Sequence, residues 1–109
     1  MSQADRPESS TTSGPAPDPV PYKITSEWDQ DSLPAAIRNA HNTKPGVWGL
    51  LCVTHGSARL VFHFPPRTVH VTPEAPGVIP PEEIHHVELD GPVRLHVEFY
   101  KTHPLGEAS

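Results

Sequence analysis

From residue 47 onwards, short apolar runs alternate with turns rich in proline and glycine. Residues 93–100 alternate strictly between apolar and polar side chains, which is typical of a strand with one buried face. Residues 47–54 are almost continuously apolar, which is typical of a strand buried on both faces. Further strands are predicted over residues 58–64, 68–72 and 84–89. Short strands at a spacing of roughly 8 to 12 residues indicate an antiparallel barrel or sandwich, so we expect an all-β fold.

The beginning of the chain has a different composition. Residues 1–21 are rich in proline, serine and threonine, and Val20 is their only bulky aliphatic side chain apart from Met1. Because such a segment buries too little apolar surface to offset its ordering entropy, we expect a disordered tail that is not a signal peptide. We expect one domain over residues 22–103 and a short tail over residues 104–109.

One short helix is expected before the strands. Ser32 is predicted to cap it, and Pro34 would lie in its first turn. Residues 35–40 can continue the helix for two turns, until turn-forming residues follow.

Composition excludes several classes of protein. The net charge is −5 and the 8 Lys and Arg residues are scattered, so we expect no nucleic-acid partner. No apolar run approaches the roughly 20 residues that cross a membrane, and the chain is interpreted as cytoplasmic. Cys52 is the single cysteine, which excludes an internal disulfide and a cysteine-rich zinc site and favours a buried, unreactive thiol. A homodimer is a candidate assembly because it would protect exposed strand edges.

Two adjacent histidines, His85 and His86, follow a double proline at positions 80 and 81. Neighbouring side chains of a strand point to opposite faces, and His85 shares its face with Val87. We therefore expect His85 to point inward and His86 to point outward. A buried imidazole must be hydrogen-bonded or must hold a ligand, so a structural histidine and a metal ligand both remain open.

Three segments of the sequence form a recognisable set: residues 41–49 contain His-Asn-Thr-Lys followed by Gly, Trp and Gly, residues 81–88 contain a proline, a short loop and His-x-x-Glu, and residues 97–100 read Val-Glu-Phe-Tyr. These segments resemble the TehB/YeaR-like cupin-like domain family. Members of this family occur at the N-terminus of tellurite-resistance methyltransferases and as free-standing small proteins. The resemblance covers nearly all of residues 22–101. It implies a small cupin-type double-stranded β-helix, or jelly-roll barrel, which the one short N-terminal helix expected above would precede.

The resemblance does not imply methyl transfer. In the fused relatives, that reaction belongs to a separate α/β domain, and this sequence has no glycine-rich loop after a strand that could cradle the methyl donor. We therefore expect no methyltransferase domain.

The metal-binding motif of cupins in general is only partly present. With Gly56 taken as the closing glycine, Gly49 stands where the motif has glutamate, and residues 42–45 contain none of the expected histidines. In the second half of the motif, Glu82 stands in place of a glycine before His85. The first half is therefore degraded and the second survives in part.

His41 and His85 remain as the best pair of metal ligands, with Glu88 or His96 as a third. In a regular strand, Glu88 points away from the face of His85, so it could join only through a bulge, and His96 has the same difficulty. The alternative for His41 is a loop histidine at the helix end. Imidazoles and a carboxylate would suit zinc, iron, nickel or manganese.

Trp48 and Lys44 are candidate ligand-binding residues. For Trp48 the alternative is a core side chain, and for Lys44 it is a solvated cation. Two functions follow. The first is a binding module that holds a metal ion or a small anionic or oxidised ligand, linked to a stress or tellurite (oxyanion) resistance response. The second is a metal-dependent oxygenase or isomerase at the barrel mouth. The incomplete motif favours the module over the enzyme, because catalysis needs a firmly held ion.

Overall fold

A computed structural model describes residues 19–106 of the chain. The first 18 residues of the expected N-terminal tail and residues 107–109 lie outside the described residues. No helix among residues 19–106 is long and apolar enough to span a membrane. The strands are β1 (Lys23–Ile24), β2 (Trp28–Asp29), β3 (Trp48–His55), β4 (Ala58–His63), β5 (Pro66–Val71), β6 (Gly77–Ile79), β7 (His85–Leu89) and β8 (Arg94–Tyr100), and the helix is α1 (Ala35–Arg38). This content confirms the expected all-β class.

The strands form two antiparallel sheets. The larger sheet has the order β1-β8-β3-β6, and β2 also pairs with β8. The smaller sheet has the order β5-β4-β7. Within residues 19–106, no strand ladder joins the two sheets, so hydrogen bonding does not close them into a barrel.

The core lies between the two sheets. In β4, Ala58, Leu60 and Phe62 are buried while the residues between them are partly exposed. In β8, Leu95 and Val97 are buried in the same alternating way. Residues of both sheets contribute to one cluster of buried side chains, so the sheets pack face to face with one apolar face each.

Gly49 in β3 and Gly77 in β6 lie where a larger side chain would contact neighbouring residues closely. The register places Gly49 opposite Ile79, and a Cβ atom at Gly49 would lie 3.3 Å from the Ile79 side chain. A Cβ atom at Gly77 would instead lie 2.8 Å from Val71 and 3.0 Å from Leu60, which belong to the smaller sheet. The backbone of β6 therefore approaches the opposite sheet closely at Gly77.

The helix is shorter than the sequence predicts. It has four residues, and its N-cap is Pro34, without a side-chain capping hydrogen bond. Ser32 belongs to the preceding turn, where its backbone N–H donates to Asp29 Oδ1 at 2.9 Å and its Oγ accepts from the Asp29 N–H at 2.9 Å. The prediction that Ser32 caps a two-turn helix is therefore wrong. At the other end, Asn39 has an extended backbone and ends the helix after one turn.

Candidate functional site

A cavity of about 500 Å³ is bounded by both sheets, α1 and residues 41–47. Its wall is mostly apolar, with Leu51 and Val97 from the larger sheet and Val87 from the smaller one. The imidazoles of His41 and His85 also line it. An apolar cavity with a few polar groups is the usual form of a small-ligand site.

His85 begins β7 and points into the interior, where only 1% of it is exposed. This confirms the inward orientation expected from strand alternation. Its Nδ1 lies 2.7 Å from the carbonyl oxygen of Glu83. Because a carbonyl can only accept, we assign the proton to Nδ1, which leaves the Nε2 lone pair of the neutral ring free. Burial, assisted by the nearby His41 and opposed by the hydrogen bond to Glu83, lowers the pKa of His85 below its usual value.

His41 lies directly beside His85. The two residues form an antiparallel bridge, in which the His41 N–H donates to the His85 carbonyl at 2.9 Å and the His85 N–H donates to the His41 carbonyl at 2.8 Å. The ring centroids are 4.2 Å apart. His41 Nδ1 lies 2.9 Å from the carbonyl oxygen of Asn39, so this ring also donates from Nδ1 and keeps a free Nε2. Backbone carbonyls therefore hold both imidazoles at the same wall, with their ring planes tilted by 57° to each other.

The loop before β7 is anchored to the segment that carries His41. Thr43 Oγ1 donates to the Pro80 carbonyl and accepts from the Glu82 N–H, both at 2.9 Å. Glu82 has φ of +65°, in the left-handed region that favours glycine. Glu82 therefore adopts this conformation at an energetic cost.

Glu88 and His96, the two candidates for a third metal ligand, lie outside the cavity, on the outer faces of different sheets. Glu88 Oε2 accepts from His86 Nε2 at 2.8 Å, and its Oε1 forms an ion pair with Arg59 at 3.1 Å. His96 lies on the outer face of β8, because its neighbours in the strand are the buried ones. The structure therefore brings His41 and His85 together and separates Glu88 and His96 from them.

The structure also places the two candidate ligand-binding residues, Lys44 and Trp48, apart from each other. Lys44 is exposed and lines the cavity beside His41. Trp48 does not line it, and its ring packs on His103 with centroids 4.8 Å apart. The next residue, Pro104, is buried, so packed structure extends into the segment that was expected to be a tail.

The sequence analysis missed a cluster on the outer face of the larger sheet. Cys52 is the cross-strand partner of His96, and His96 Nε2 lies 2.9 Å from Glu98 Oε2. The Tyr100 hydroxyl donates to Glu98 Oε1 at 2.6 Å. The ligand atoms of Cys52, His96 and Glu98 lie within 4.8 Å of one another. The alternation of residues 94–100 indicated that His96 and Glu98 share a face, but the register that adds Cys52 comes only from the structure.

The cluster has an unusual charge balance. Burial, together with the negative charge of Glu98 and a hydrogen bond to it, raises the pKa of the Cys52 thiol to about 12. Burial opposes ionisation of Glu98, but the hydrogen bonds from Tyr100 and His96 outweigh it and hold the pKa of this carboxyl below its usual value. The cluster therefore contains a carboxylate beside a protonated thiol at neutral pH.

Comparison with known proteins identifies the family. A sequence profile of the TehB-like domain matches residues 23–97. The crystal structure of TehB from Haemophilus influenzae is similar over 76% of this chain, with 28% identity and a TM-score of 0.68, and the chain covers 31% of that protein's length. A crystal structure of a protein from E. coli K12 is similar over 82% of this chain and 96% of its own, with 22% identity and a TM-score of 0.71, and thus shares the fold. No curated protein sequence matches. Because the profile covers more than half of the residues, the chain belongs to the TehB-like family.

Proposed function

We propose that the chain is a small binding module in which His41 and His85 hold a divalent metal ion at the wall of the apolar cavity. The supporting observation is the same for both rings: each Nδ1–H is donated to a backbone carbonyl, and each Nε2 is left free. A hydrogen bond from the other ring nitrogen to a carbonyl fixes the tautomer and orientation of metal-binding histidines in proteins. We also propose that the two sheets correspond to a small cupin-type jelly roll.

The spacing of the rings is compatible with one shared ion. Imidazole nitrogens bind zinc at about 2.0–2.1 Å, so two rings on one ion have centroids roughly 5 Å apart. The observed separation is 4.2 Å with the ring planes tilted by 57°, so the two rings would move apart by about 1 Å to share an ion. Among residues 19–106, the side chains that line the cavity include no cysteine, aspartate or glutamate and no third histidine. Two protein ligands would leave several coordination positions open, which favours binding of a ligand over firmly held catalytic metal.

The charges at the cavity favour an anionic ligand on those open positions. Lys23 and Lys44 both line the cavity, and its lining contains no acidic side chain within residues 19–106. Cations near a low-dielectric cavity attract small anions. A small anionic or oxidised ligand bound to the ion would suit a role in a stress or oxyanion resistance response.

The test is metal content and metal affinity in asparagine variants. An asparagine side chain can keep a donor near the position of Nδ1 but has no counterpart of Nε2, so His41→Asn and His85→Asn retain the structural hydrogen bonds and lose the proposed ligands. His86→Asn is the matched control, because its side chain lies on the outer face. All variants carry Cys52→Ser, which removes the thiol of the separate outer cluster.

We expect the Cys52→Ser protein to bind one equivalent of zinc or nickel per chain in a calorimetric titration, and mass spectrometry of the purified protein to find metal. Both cavity variants should lose this binding, and His86→Asn should retain it. Equal binding by His85→Asn and His86→Asn would refute the proposal, as would a parent protein that binds no metal.

A further inference from the structure

We infer that Cys52, His96 and Glu98 form a second, separate metal site that takes a zinc-like divalent cation on the outer face of the larger sheet. The three residues lie on neighbouring strands, with Cys52 on β3 and the other two on β8. Leu51 and Val97, their neighbours in these strands, point into the core. The site is therefore on the opposite side of the sheet from the cavity, and it stands independently of the proposed function.

The positions of the donor atoms match a cation. Around a tetrahedral zinc ion with bonds of about 2.0–2.3 Å, neighbouring ligand atoms lie roughly 3.4 to 3.6 Å apart. The three ligand atoms here are within 4.8 Å of one another, and His96 Nε2 is 2.9 Å from Glu98 Oε2. Small side-chain rotations are enough to surround an ion, because the strand register already holds the three Cβ atoms on one face. A thiolate, an imidazole and a carboxylate are a donor set that zinc and cobalt accept.

Tyr100 supports the carboxylate of the site. Its hydroxyl donates to Glu98 Oε1 at 2.6 Å, which leaves Oε2 for the ion and fixes the plane of the carboxylate. Such outer contacts orient metal ligands and raise affinity. On binding, the Cys52 thiol loses its proton to solvent, and His96 binds through Nε2 as the neutral Nδ1–H tautomer. All three ligand residues are partly exposed, so an ion can enter and a water molecule can complete the coordination.

The smaller sheet provides an internal comparison. His86 and Glu88 have the same His-x-Glu spacing and a similar contact of 2.8 Å. The cross-strand partner of His86 is Val61, where the larger sheet has a cysteine. His86 also directs its two ring nitrogens to different neighbours, Nδ1 to His63 at 2.7 Å and Nε2 to Glu88, so the donors around it do not converge. The pair of His86 and Glu88 is therefore a control, because its side chains match those of His96 and Glu98 and we expect no metal site there.

Cobalt titration of the reduced, metal-free protein tests the inference. A near-ultraviolet sulfur-to-cobalt charge-transfer band reports thiolate coordination, and the cavity site contains no sulfur ligand. We expect the band in the wild type and its loss in Cys52→Ser. His96→Ala and Glu98→Gln should lower the cobalt affinity at least tenfold, and Tyr100→Phe should lower it about 10–100-fold, the usual effect of removing an outer contact.

The controls decide the outcome. His85→Asn and His86→Asn should give the wild-type band and affinity, with circular dichroism confirming that each variant is folded. Absence of the band from the wild type at saturating cobalt would overturn the inference. Retention of wild-type affinity in folded His96→Ala and Glu98→Gln would also overturn it, because the cysteine would then bind cobalt without the cluster.

Discussion

Gly77 and Gly49 face the core from neighbouring strands, yet we expect a methyl group to have opposite effects at the two positions. In Gly77→Ala, the new Cβ atom would lie 2.8 Å from Val71 Cγ2 and 3.0 Å from Leu60 Cδ2. Both of these side chains are fully buried, so they have little room to move. In Gly49→Ala, the Cβ atom would meet the Ile79 side chain at 3.3 Å. Ile79 borders the cavity and can shift toward it.

The magnitudes follow from packing and chain entropy. Overpacking a close-packed core costs about 1–3 kcal/mol, whereas replacing glycine with alanine restricts the unfolded chain and stabilises by about 0.4–1 kcal/mol. We therefore expect Gly77→Ala to lower the free energy of unfolding by about 1–2 kcal/mol. Gly49→Ala should leave it unchanged or raise it by up to about 1 kcal/mol. For a domain of this size, each kcal/mol corresponds to roughly 4–8 °C in Tm.

Urea unfolding followed by tryptophan fluorescence measures both variants against the wild type. The free energies are comparable if the slope of the transition is the same in all three proteins. The reasoning would be refuted if Gly77→Ala were at least as stable as the wild type, since the two sheets would then not be in close contact at β6. A Gly49→Ala variant as unstable as Gly77→Ala would contradict the expected mobility of Ile79.

Two further predictions concern single residues near the cavity. In the metal-free protein, His85 has a folded pKa below its unfolded value, so its contribution to stability is complete above about pH 6.5 and is lost as the pH falls toward the folded pKa, by at most about 1.4 kcal/mol per pH unit. Urea unfolding between pH 5 and 8 with a chelator should show a flatter dependence in His85→Asn, and an unchanged slope would contradict the assignment. Glu82→Gly should raise the free energy of unfolding by about 0.5 kcal/mol, because a left-handed residue costs about 1–2 kcal/mol and glycine's extra entropy costs about 0.5–1 kcal/mol. A less stable Glu82→Gly protein in the same assay would count against that conformation.

The longer strands could be predicted because their burial pattern is local. The predicted range 58–64 corresponds to β4 (Ala58–His63), and the alternation over residues 93–100 corresponds to β8 (Arg94–Tyr100). The alternation of side chains along a strand also indicated that His85 points inward and His86 points outward. Strands β1, β2 and β6 have only two or three residues, too few for a periodic pattern. They exist because β8 and β3 offer them partners, which is a tertiary effect. Strand β6 also begins at a glycine directly after a proline, a pair of residues that indicates a turn.

Half of the candidate cavity site could also be predicted. The inward orientation of His85 follows from its strand, and the spacing of the general cupin metal motif left His41 as its best partner. The backbone bridge that fixes their rings 4.2 Å apart is a long-range contact without a local signal. Trp48 was harder to place, because a strand interpreted as buried on both faces gives no reason to prefer one face. Cys52 was predicted only as a buried, unreactive thiol, because its contact with His96 depends on the register between β3 and β8.

The register between β3 and β8 gives this pair of strands two faces with different chemistry. Leu51 and Val97 are cross-strand partners and face the cavity, while the next pair in the antiparallel register, Cys52 and His96, lies on the outer face. Each face keeps its own side chains because a slip of one residue would exchange them all, and such a slip would expose the core. The effects of substitutions at the two sites on metal binding should therefore be nearly additive, since the sites share no side chain. The retained cobalt affinity of His85→Asn follows from this geometry, and a large coupling between the sites would require the β3–β8 pair itself to move.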